Sequence, residues 1–272
     1  MIPAAFDYVR AGSADEALAA LAEHGDEAKL LAGGQSLIPL MRFRLVTPGV
    51  IVDVGSLNGD LQGIAVDGDS VRIGALTTHS TLEHSAELIE ACPLLASVAS
   101  HVGDPAVRHR GTIGGSIAHA DPASDLPAAV LALGGTMTAR GPAGEREISA
   151  SEFFTGFLES ALAPDELLTG ISVPVSTGGW AYEKFNRRAQ DWAVVGVAVA
   201  EGGAGVAMVN MGMTPLRAGS VEEAVAGGAS ATDAAVHAVD GTEPSSDNDA
   251  DAEFRRHLAQ VLTRRALETA GA

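Results

Sequence analysis

Residues 111–126 read GTIGGSIAHADPASDL, and residues 30–41 read LLAGGQSLIPLM. In each stretch a glycine pair is followed by a small polar side chain and then by hydrophobic residues. Consecutive glycines allow a backbone to approach a ligand closely, so that several N–H groups can converge on one anion, usually a phosphate. Two such loops predict a clamp on a pyrophosphate, with Ser36, Thr112 and Ser116 adding hydroxyl donors.

The charge around both loops is also favourable for an anion. Residues 29–52 around the first loop contain Lys29, Arg42 and Arg44 and no acid, and residues 105–120 around the second contain Arg108 and Arg110 and no acid. Neither loop matches the dinucleotide fingerprint of a Rossmann domain or a P-loop. The loops therefore predict a phosphate site of another kind.

The acids that follow the second loop need a different role, because a carboxylate beside a phosphate would repel it. We expect Asp121 and Asp125 to accept hydrogen bonds from ligand hydroxyls or to cap a helix.

The bulk properties exclude several classes of protein. A chain of 272 residues, 46% of them hydrophobic, is expected to bury a large core and to divide into more than one domain. The net charge of −18 disfavours nucleic acids and anionic membranes as partners. No apolar run approaches the length of a membrane span, and no signal peptide is recognisable. The single cysteine, Cys92, excludes a disulfide framework and predicts a reducing, cytoplasmic compartment.

The order of predicted elements indicates a mixed α+β chain. Ser13 and Glu16 form a capping box that predicts a helix over residues 14–24. The first glycine loop lies between predicted strands at 29–31 and 50–54, in a β-loop-α-β unit. Further predictions are hairpins near Asp67-Gly68 and at 141–144, a helix over 126–133 capped by Asp125, a strand at 167–173, three strands between 180 and 211, an exposed loop at 240–251 and a long helix over 251–269.

Both loops, the opening MIPAAFDYVRAGSADEALAAL, the segment YEKFNRRAQDWAVVGVAVA and the ending EFRRHLAQVLTRRALE resemble one family. It is that of the FAD-binding medium subunit of the molybdenum hydroxylases, which includes xanthine dehydrogenase and aerobic carbon monoxide dehydrogenase. The resemblance implies an α+β FAD-binding fold of the vanillyl-alcohol oxidase (PCMH) type over residues 1–176, with two α+β subdomains of about 1–55 and 56–176. It also implies a C-terminal α+β domain of sheet and helices over residues 177–272.

The resemblance also implies which residues bind FAD. One side of the pyrophosphate would be held by the backbone of the first loop and the other side by the second loop, while three further residues would lie near the hydroxyls and the flavin. These residues are Ala32, Gly33, Gly34, Gln35, Ser36, Leu37, Thr112, Gly114, Gly115, Ser116, Asp125, Leu168 and Lys184.

Trp192 departs from the pattern of the family, in which many members have tyrosine at this position. The tryptophan ring can cover a face of the flavin, although its N–H cannot act as an acceptor as a tyrosine hydroxyl can. Alternatively, Trp192 is a core aromatic residue under the C-terminal sheet.

In the implied reaction, a substrate is oxidised at a molybdopterin-type molybdenum cofactor on a large subunit. Electrons pass through two [2Fe–2S] clusters on a small subunit to non-covalent FAD on this chain, and then to an external acceptor such as a quinone, NAD or dioxygen. The subunits are expected to form a dimer of heterotrimers. We expect neither a catalytic side chain nor a metal site in this chain, since the cofactors carry the chemistry.

Three alternatives remain at this stage. A self-sufficient FAD oxidase or reductase of the same fold would need a substrate pocket, and it could hold the flavin by a covalent link through His, Cys or Tyr, with Cys92 as the only cysteine. A metal-dependent enzyme would have to use His79, His84, His101, His109 or His119 with Asp121, but none of these forms a recognisable metal motif. A non-catalytic scaffold would use the glycine loops only as turns.

Overall fold

The N-terminal part is a parallel three-stranded sheet with helices around it. The computed structural model describes residues 2–57, 59 and 61–272. Strands β1 (Asp7–Arg10), β2 (Ala28–Leu31) and β3 (Val50–Asp53) pair in the order β1-β3-β2, with helix α1 (Ala14–His24) after β1 and helix α2 (Leu37–Phe43) between β2 and β3. Ser13 caps α1 and accepts a hydrogen bond from the Glu16 N–H at 3.1 Å. The predicted β-loop-α-β unit is confirmed, and the first glycine loop leaves the end of β2.

The central part is built on a five-stranded antiparallel sheet. Its order is β4-β5-β10-β6-β7, and a separate two-stranded ribbon precedes β10. Both predicted hairpins are present, although Asp67 pairs with Ser70, which places the first turn at Gly68-Asp69. The strands are β4 (Ile64–Asp67), β5 (Ser70–Gly74), β6 (Thr136–Gly141), β7 (Gly144–Ser149), β8 (Phe154–Gly156), β9 (Glu159–Ser160) and β10 (Leu167–Pro174).

Seven helices accompany this sheet within the described residues. They are α3 (His79–His84), α4 (Ala86–Ala91), α5 (Pro93–Ser100), α6 (Pro105–Arg108), α7 (Ile113–His119), α8 (Asp125–Ala132) and α9 (Ala150–Phe153). Pro93 begins α5, because the first helical position needs no N–H donor. The second glycine loop forms the first turn of α7. Every residue of α8 is buried.

The C-terminal part is a four-stranded antiparallel sheet between α8 and a long helix. Its elements are β11 (Ala181–Phe185), β12 (Val195–Ala200), β13 (Gly205–Val209), β14 (Leu216–Arg217), α10 (Gly219–Ala226), α11 (Ala231–Ala235) and α12 (Ala252–Ala270). Alternate residues of β12 and β13 enter two cores. Ala198 and Ala207 join the core that contains α8, whereas Val197 and Met208 join the core that contains α12.

The approach of α8 to this sheet is very close. A Cβ added at Gly205 would lie 2.0 Å from the Ala132 carbonyl oxygen, so only glycine fits there. Among the helices of residues 2–57, 59 and 61–272, none combines the length and the apolar character needed to cross a bilayer.

Candidate functional site

The two glycine loops contact each other. A Cβ added at Gly33 would lie 2.1 Å from the Arg110 carbonyl oxygen and 2.8 Å from the Gly111 Cα atom. Both neighbours are backbone atoms, so they cannot move aside as a side chain can. The absence of a side chain at Gly33 thus allows the first loop to lie directly against the start of the second.

The backbone of the first loop has unused donors. None of the N–H groups of residues 32–37 donates a hydrogen bond to the part of the chain that the structure describes. Gly34 has a φ of 74°, which turns the chain from β2 toward α2. Gln35 is exposed, and its side chain donates to the Gly33 carbonyl oxygen at 3.4 Å. The first loop therefore has the donor set that a phosphate ligand needs.

The second loop differs, because its N–H groups are used within the protein. The Ile113 N–H donates to the Thr77 carbonyl at 3.0 Å, and the Gly114 N–H donates to the Ala75 carbonyl at 2.8 Å. The Gly115 N–H donates to the Thr112 hydroxyl at 3.1 Å, and the Ser116 N–H donates to the Thr112 carbonyl at 3.0 Å. These four residues do not form the predicted nest of free N–H groups. Gly115 is nevertheless exposed, so this part of the loop is open to a ligand.

The favourable charge predicted near the second loop is only partly available. The Arg108 guanidinium donates to Glu83 Oε2 at 2.7 Å and to the carbonyl oxygens of Val102 and Gly103. Glu83 lies on α3, far away in sequence, so the absence of nearby acids in the sequence was misleading. Arg110 remains exposed beside the junction of the loops.

Asp125 does not cap α8, contrary to the prediction. Ser124 occupies the cap position, whereas the buried Asp125 carboxylate accepts hydrogen bonds from Tyr182 and, at 2.9 Å, from Lys184 Nζ. Lys184 Nζ also donates to the His101 carbonyl oxygen at 3.0 Å. Burial raises the pKa of Asp125, and the positive charge of Lys184 opposes that rise. The pKa of Tyr182 is raised well above its ordinary value by burial and by the negative charge of Asp125.

Leu168 is connected to the second loop through the backbone. It is buried in β10 beside a register shift at Leu168/Gly170. The next residue, Thr169, accepts a hydrogen bond from the Ala75 N–H at 3.0 Å, and Ala75 in turn accepts one from Gly114. The structure thus connects the start of β10 to the first turn of α7 through Ala75.

Trp192 is exposed over 57% of its surface, so the interpretation as a core aromatic residue is wrong. Its loop is nevertheless connected to the second glycine stretch. The Asn210 side chain donates to the Ala193 carbonyl oxygen at 3.0 Å, and the Asn210 N–H donates to the Pro122 carbonyl oxygen at 2.7 Å.

Two contributors to the site were not predicted. Tyr182 could have been found, because it lies two residues before Lys184 and side chains alternate along a strand. His79 had no such signal. Its buried ring has Nε2 3.1 Å from Ser116 Oγ, and burial lowers its pKa to about 4.

Cys92 is fully buried at the start of α5, and burial raises the pKa of its thiol to about 11. A thiol with these properties is a poor nucleophile. Within the residues that the structure describes, no group of three or more His, Cys, Asp or Glu side chains is arranged to hold a metal ion.

Comparisons with known proteins agree with this architecture. Residues 4–176 match the family "FAD binding domain in molybdopterin dehydrogenase", and residues 180–270 match "CO dehydrogenase flavoprotein C-terminal domain". The chain is 41% identical to the carbon monoxide dehydrogenase medium chain of Afipia carboxidovorans, covering 100% of this chain and 99% of that one. It is 36% identical to the caffeine dehydrogenase subunit beta of a Pseudomonas strain, covering 99% and 96%.

A solved structure shows the same fold over the full length. It is carbon monoxide dehydrogenase from Hydrogenophaga pseudoflava lacking the Mo-pyranopterin moiety of its cofactor, with a TM-score of 0.95, 39% identity and coverage of 100% of this chain and 99% of that one. The chain therefore belongs to the FAD-binding medium subunits of the molybdenum hydroxylase family. It has the α+β fold that the resemblance implied, and it is a subunit of an oxidoreductase.

Proposed function

We propose that this chain binds FAD non-covalently between its two glycine loops. The observation that carries the proposal is the contact of Gly33 with Arg110, which places the unused N–H donors of residues 32–37 beside the second loop. A pyrophosphate carries its charge on several oxygens and is bound best by converging donors. The proposed ligands are Ala32, Gly33, Gly34, Gln35, Ser36, Leu37, Thr112, Gly114, Gly115, Ser116, Asp125, Leu168, Lys184 and Trp192.

The two loops would hold the pyrophosphate by different groups. The first loop offers backbone N–H donors. In the second loop the Gly115 N–H donates to Thr112 Oγ1, so the Thr112 hydroxyl hydrogen remains for a ligand. The exposed face of Gly115 would allow an oxygen of the pyrophosphate to come close to that hydroxyl.

The buried pair Asp125 and Lys184 would fix charge beside the flavin end of the cofactor. Each side chain is at most 7% exposed, and Lys184 Nζ lies 2.9 Å from Asp125 Oδ2, so the two charges neutralise each other. Lys184 has three N–H donors, of which Asp125 and His101 take two. The pair would therefore present a fixed polar surface that does not reorganise when a ligand arrives.

FAD, when bound, supplies the redox chemistry of this subunit by accepting electrons and passing them to an external acceptor. This chain would hold it in place and limit its contact with water. The buried thiol of Cys92, with its raised pKa, favours non-covalent binding over a covalent link at that residue.

We propose that the electrons come from a small subunit with two [2Fe–2S] clusters and ultimately from a molybdenum cofactor on a large subunit. One cysteine cannot ligate such a cluster alone, so the clusters would lie on a partner. A dimer of heterotrimers in a reducing cytoplasm, with a quinone, NAD or dioxygen as acceptor, completes the proposal. Because similar chains are named for carbon monoxide and for caffeine, we propose that the large subunit, rather than this chain, selects the substrate.

We also propose a domain boundary near residue 176. The strands up to Pro174 form the first two large sheets, and the strands from Ala181 form the third.

The test is a visible spectrum of the chain purified with its partners, before and after acid precipitation. We expect flavin absorption that passes into the supernatant as FAD, with iron and molybdenum in the other subunits. A colourless chain that takes up no added FAD contradicts the proposal. Flavin that remains in the pellet would instead indicate a covalent link and a self-sufficient oxidase.

A further inference from the structure

The buried histidine of α3 contacts the second loop, and its function there is still open. His79 is 3% exposed, and its Nε2 lies 3.1 Å from the hydroxyl oxygen of Ser116, in the first turn of α7. Its other ring nitrogen, Nδ1, is buried and has no hydrogen-bond partner in the part of the chain that the structure describes. Buried polar atoms normally have partners, so an unpartnered one requires an explanation.

The direction of the hydrogen bond to Ser116 decides what Ser116 can do. A hydroxyl has one hydrogen to donate and two lone pairs that accept. If His79 Nε2 accepts, the Ser116 hydrogen is used inside the protein and only lone pairs face a ligand. If His79 Nε2 donates, the Ser116 hydrogen is free for an acceptor outside. A phosphate oxygen needs the second arrangement, because it carries no proton.

The surroundings of the ring favour donation from Nε2. The lowered pKa keeps the imidazole neutral near pH 7, so it carries one proton. With that proton on Nδ1, a buried N–H would make no hydrogen bond within the described residues, although the Thr112 backbone lies near enough to the ring to raise the His79 pKa. With the proton on Nε2, only an acceptor lone pair at Nδ1 is unpaired, which proteins tolerate more readily than a buried unpaired N–H.

The second hydroxyl of this loop is arranged in the same way. Thr112 Oγ1 accepts from the Gly115 N–H, and Ser116 Oγ would accept from His79. A hydroxyl that accepts one hydrogen bond is a better donor for the next, because the two bonds polarise each other. Since the N–H groups of residues 113–116 are used within the protein, these two hydroxyls are the side-chain donors that this loop can offer an anion.

We propose that His79 is a positioning residue of the FAD site: its Nε2–H donates to Ser116 and thereby directs the Ser116 hydroxyl hydrogen toward a phosphate oxygen of FAD. This role rests on the proposed function, namely that the pyrophosphate lies at the second loop. His79 itself does not touch the ligand. It acts only through the orientation of Ser116, so its effect requires both the serine and a phosphorylated flavin.

The test compares two flavins on the full chain after its flavin has been removed. In His79→Phe the ring remains but cannot donate, so we expect FAD to bind about tenfold to hundredfold more weakly, since the acceptor is charged. Riboflavin, which has no phosphate, is expected to bind as it does to the native chain. His79→Gln retains a donor and is expected to restore most of the FAD affinity. His84→Phe, an exposed substitution on the same helix, is the matched control and should change neither affinity.

Two further measurements separate this role from general structural damage. In the Ser116→Ala background, His79→Phe should cause no additional loss of FAD affinity, because the hydroxyl through which His79 acts is already absent. In the native chain, ¹⁵N NMR of the His79 ring, assigned by its loss in His79→Gln, should show a protonated Nε2 and an unprotonated Nδ1.

Several results would overturn the role of His79. These are native FAD affinity in His79→Phe, equal weakening of riboflavin and FAD, additive losses with Ser116→Ala, or a proton on Nδ1. A native chain that binds no FAD at all would instead overturn the proposed function, and this role with it. The NMR measurement decides the bond direction even if His79→Phe does not fold.

Discussion

The two glycine loops have nearly the same sequence pattern but offer a ligand different groups. The first loop follows a parallel strand, and no described residue accepts from the N–H groups of residues 32–37. The second loop lies along residues 75–79, where the Ala75 and Thr77 carbonyls accept two of its N–H groups, and Thr112 of the loop itself accepts two more. A glycine pair therefore shows where a backbone can come close. Whether its amides bind the ligand depends on what the neighbouring chain has already satisfied.

The largest expected effect is at the contact that joins the loops. Gly33→Ala places a Cβ 2.1 Å from the Arg110 carbonyl oxygen, which must push the loops apart. We expect loss of FAD retention and about 1–3 kcal/mol of destabilisation, as for other overpacked sites. Flavin absorbance per protein after gel filtration, together with thermal unfolding, measures both. Gly219→Ala is the control, because nothing lies within 4 Å of the added atom. Full flavin occupancy in Gly33→Ala would show that the loops act separately.

The next largest effect is expected at Thr112, whose hydroxyl caps α7 and is also the proposed donor to the pyrophosphate. Thr112→Val removes the acceptor of the Gly115 N–H and the hydroxyl donor together. We expect about 1 kcal/mol of lost stability and about tenfold weaker FAD binding, whereas Thr112→Ser should be close to native. Ser230→Ala is the matched control, because Ser230 caps α11 far from the loops through the Asp233 N–H at 3.2 Å. If Ser230→Ala weakens FAD binding as much as Thr112→Val does, the lower FAD affinity is a consequence of lost stability and not of the missing hydroxyl donor.

Acid should lower the stability of the flavin-free chain through the buried ring of His79. The His79 pKa of about 4 lies below its ordinary value of 6.5. Between pH 6.5 and about pH 4, this ring is therefore protonated in the unfolded chain and neutral in the folded one. The associated stability is fully present above about pH 6.5 and is lost progressively as the pH falls toward about 4. In urea unfolding of the flavin-free chain, we expect the native protein to lose about 2 kcal/mol more than His79→Gln between roughly pH 7.5 and pH 5. Equal losses in the two proteins would contradict a buried neutral ring.

The smallest effect is expected outside both loops. Trp192 is 57% exposed, so Trp192→Ala should change the free energy of unfolding by no more than about 0.5 kcal/mol. Flavin retention should also persist, because the loops would hold the phosphates. The rate at which dioxygen oxidises the reduced protein is the property that we expect to change, as the ring would no longer cover the flavin. Loss of flavin in this variant would show that the C-terminal part, and not only the loops, contributes to the binding energy of FAD.

The sequence predicted those parts of the molecule that depend on neighbours in the chain. The capping box of Ser13 and the hairpins follow from local backbone preferences and side-chain bonds. Both glycine loops were found for the same reason, since the glycine pairs themselves carry the signal. These features needed no knowledge of the tertiary fold.

The errors concern contacts between distant segments. Arg108 was expected to be available for an anion, but Glu83 from another helix pairs with it. Asp125 was expected to be available as a cap, but Tyr182 and Lys184 from β11 take its carboxylate. A polar side chain has several possible partners, and only the packing of the chain selects among them.

The contact of Gly33 with Arg110 also constrains the order of events during synthesis. The first loop leaves the ribosome well before the segment that completes the junction, so half of the anion site must exist for some time without the other half. We expect flavin to be captured only after the central part has folded onto the N-terminal sheet. Flavin present during refolding should then leave the phases before that docking unchanged and act only on later ones, which makes uptake of the cofactor a report that the N-terminal and central parts have joined.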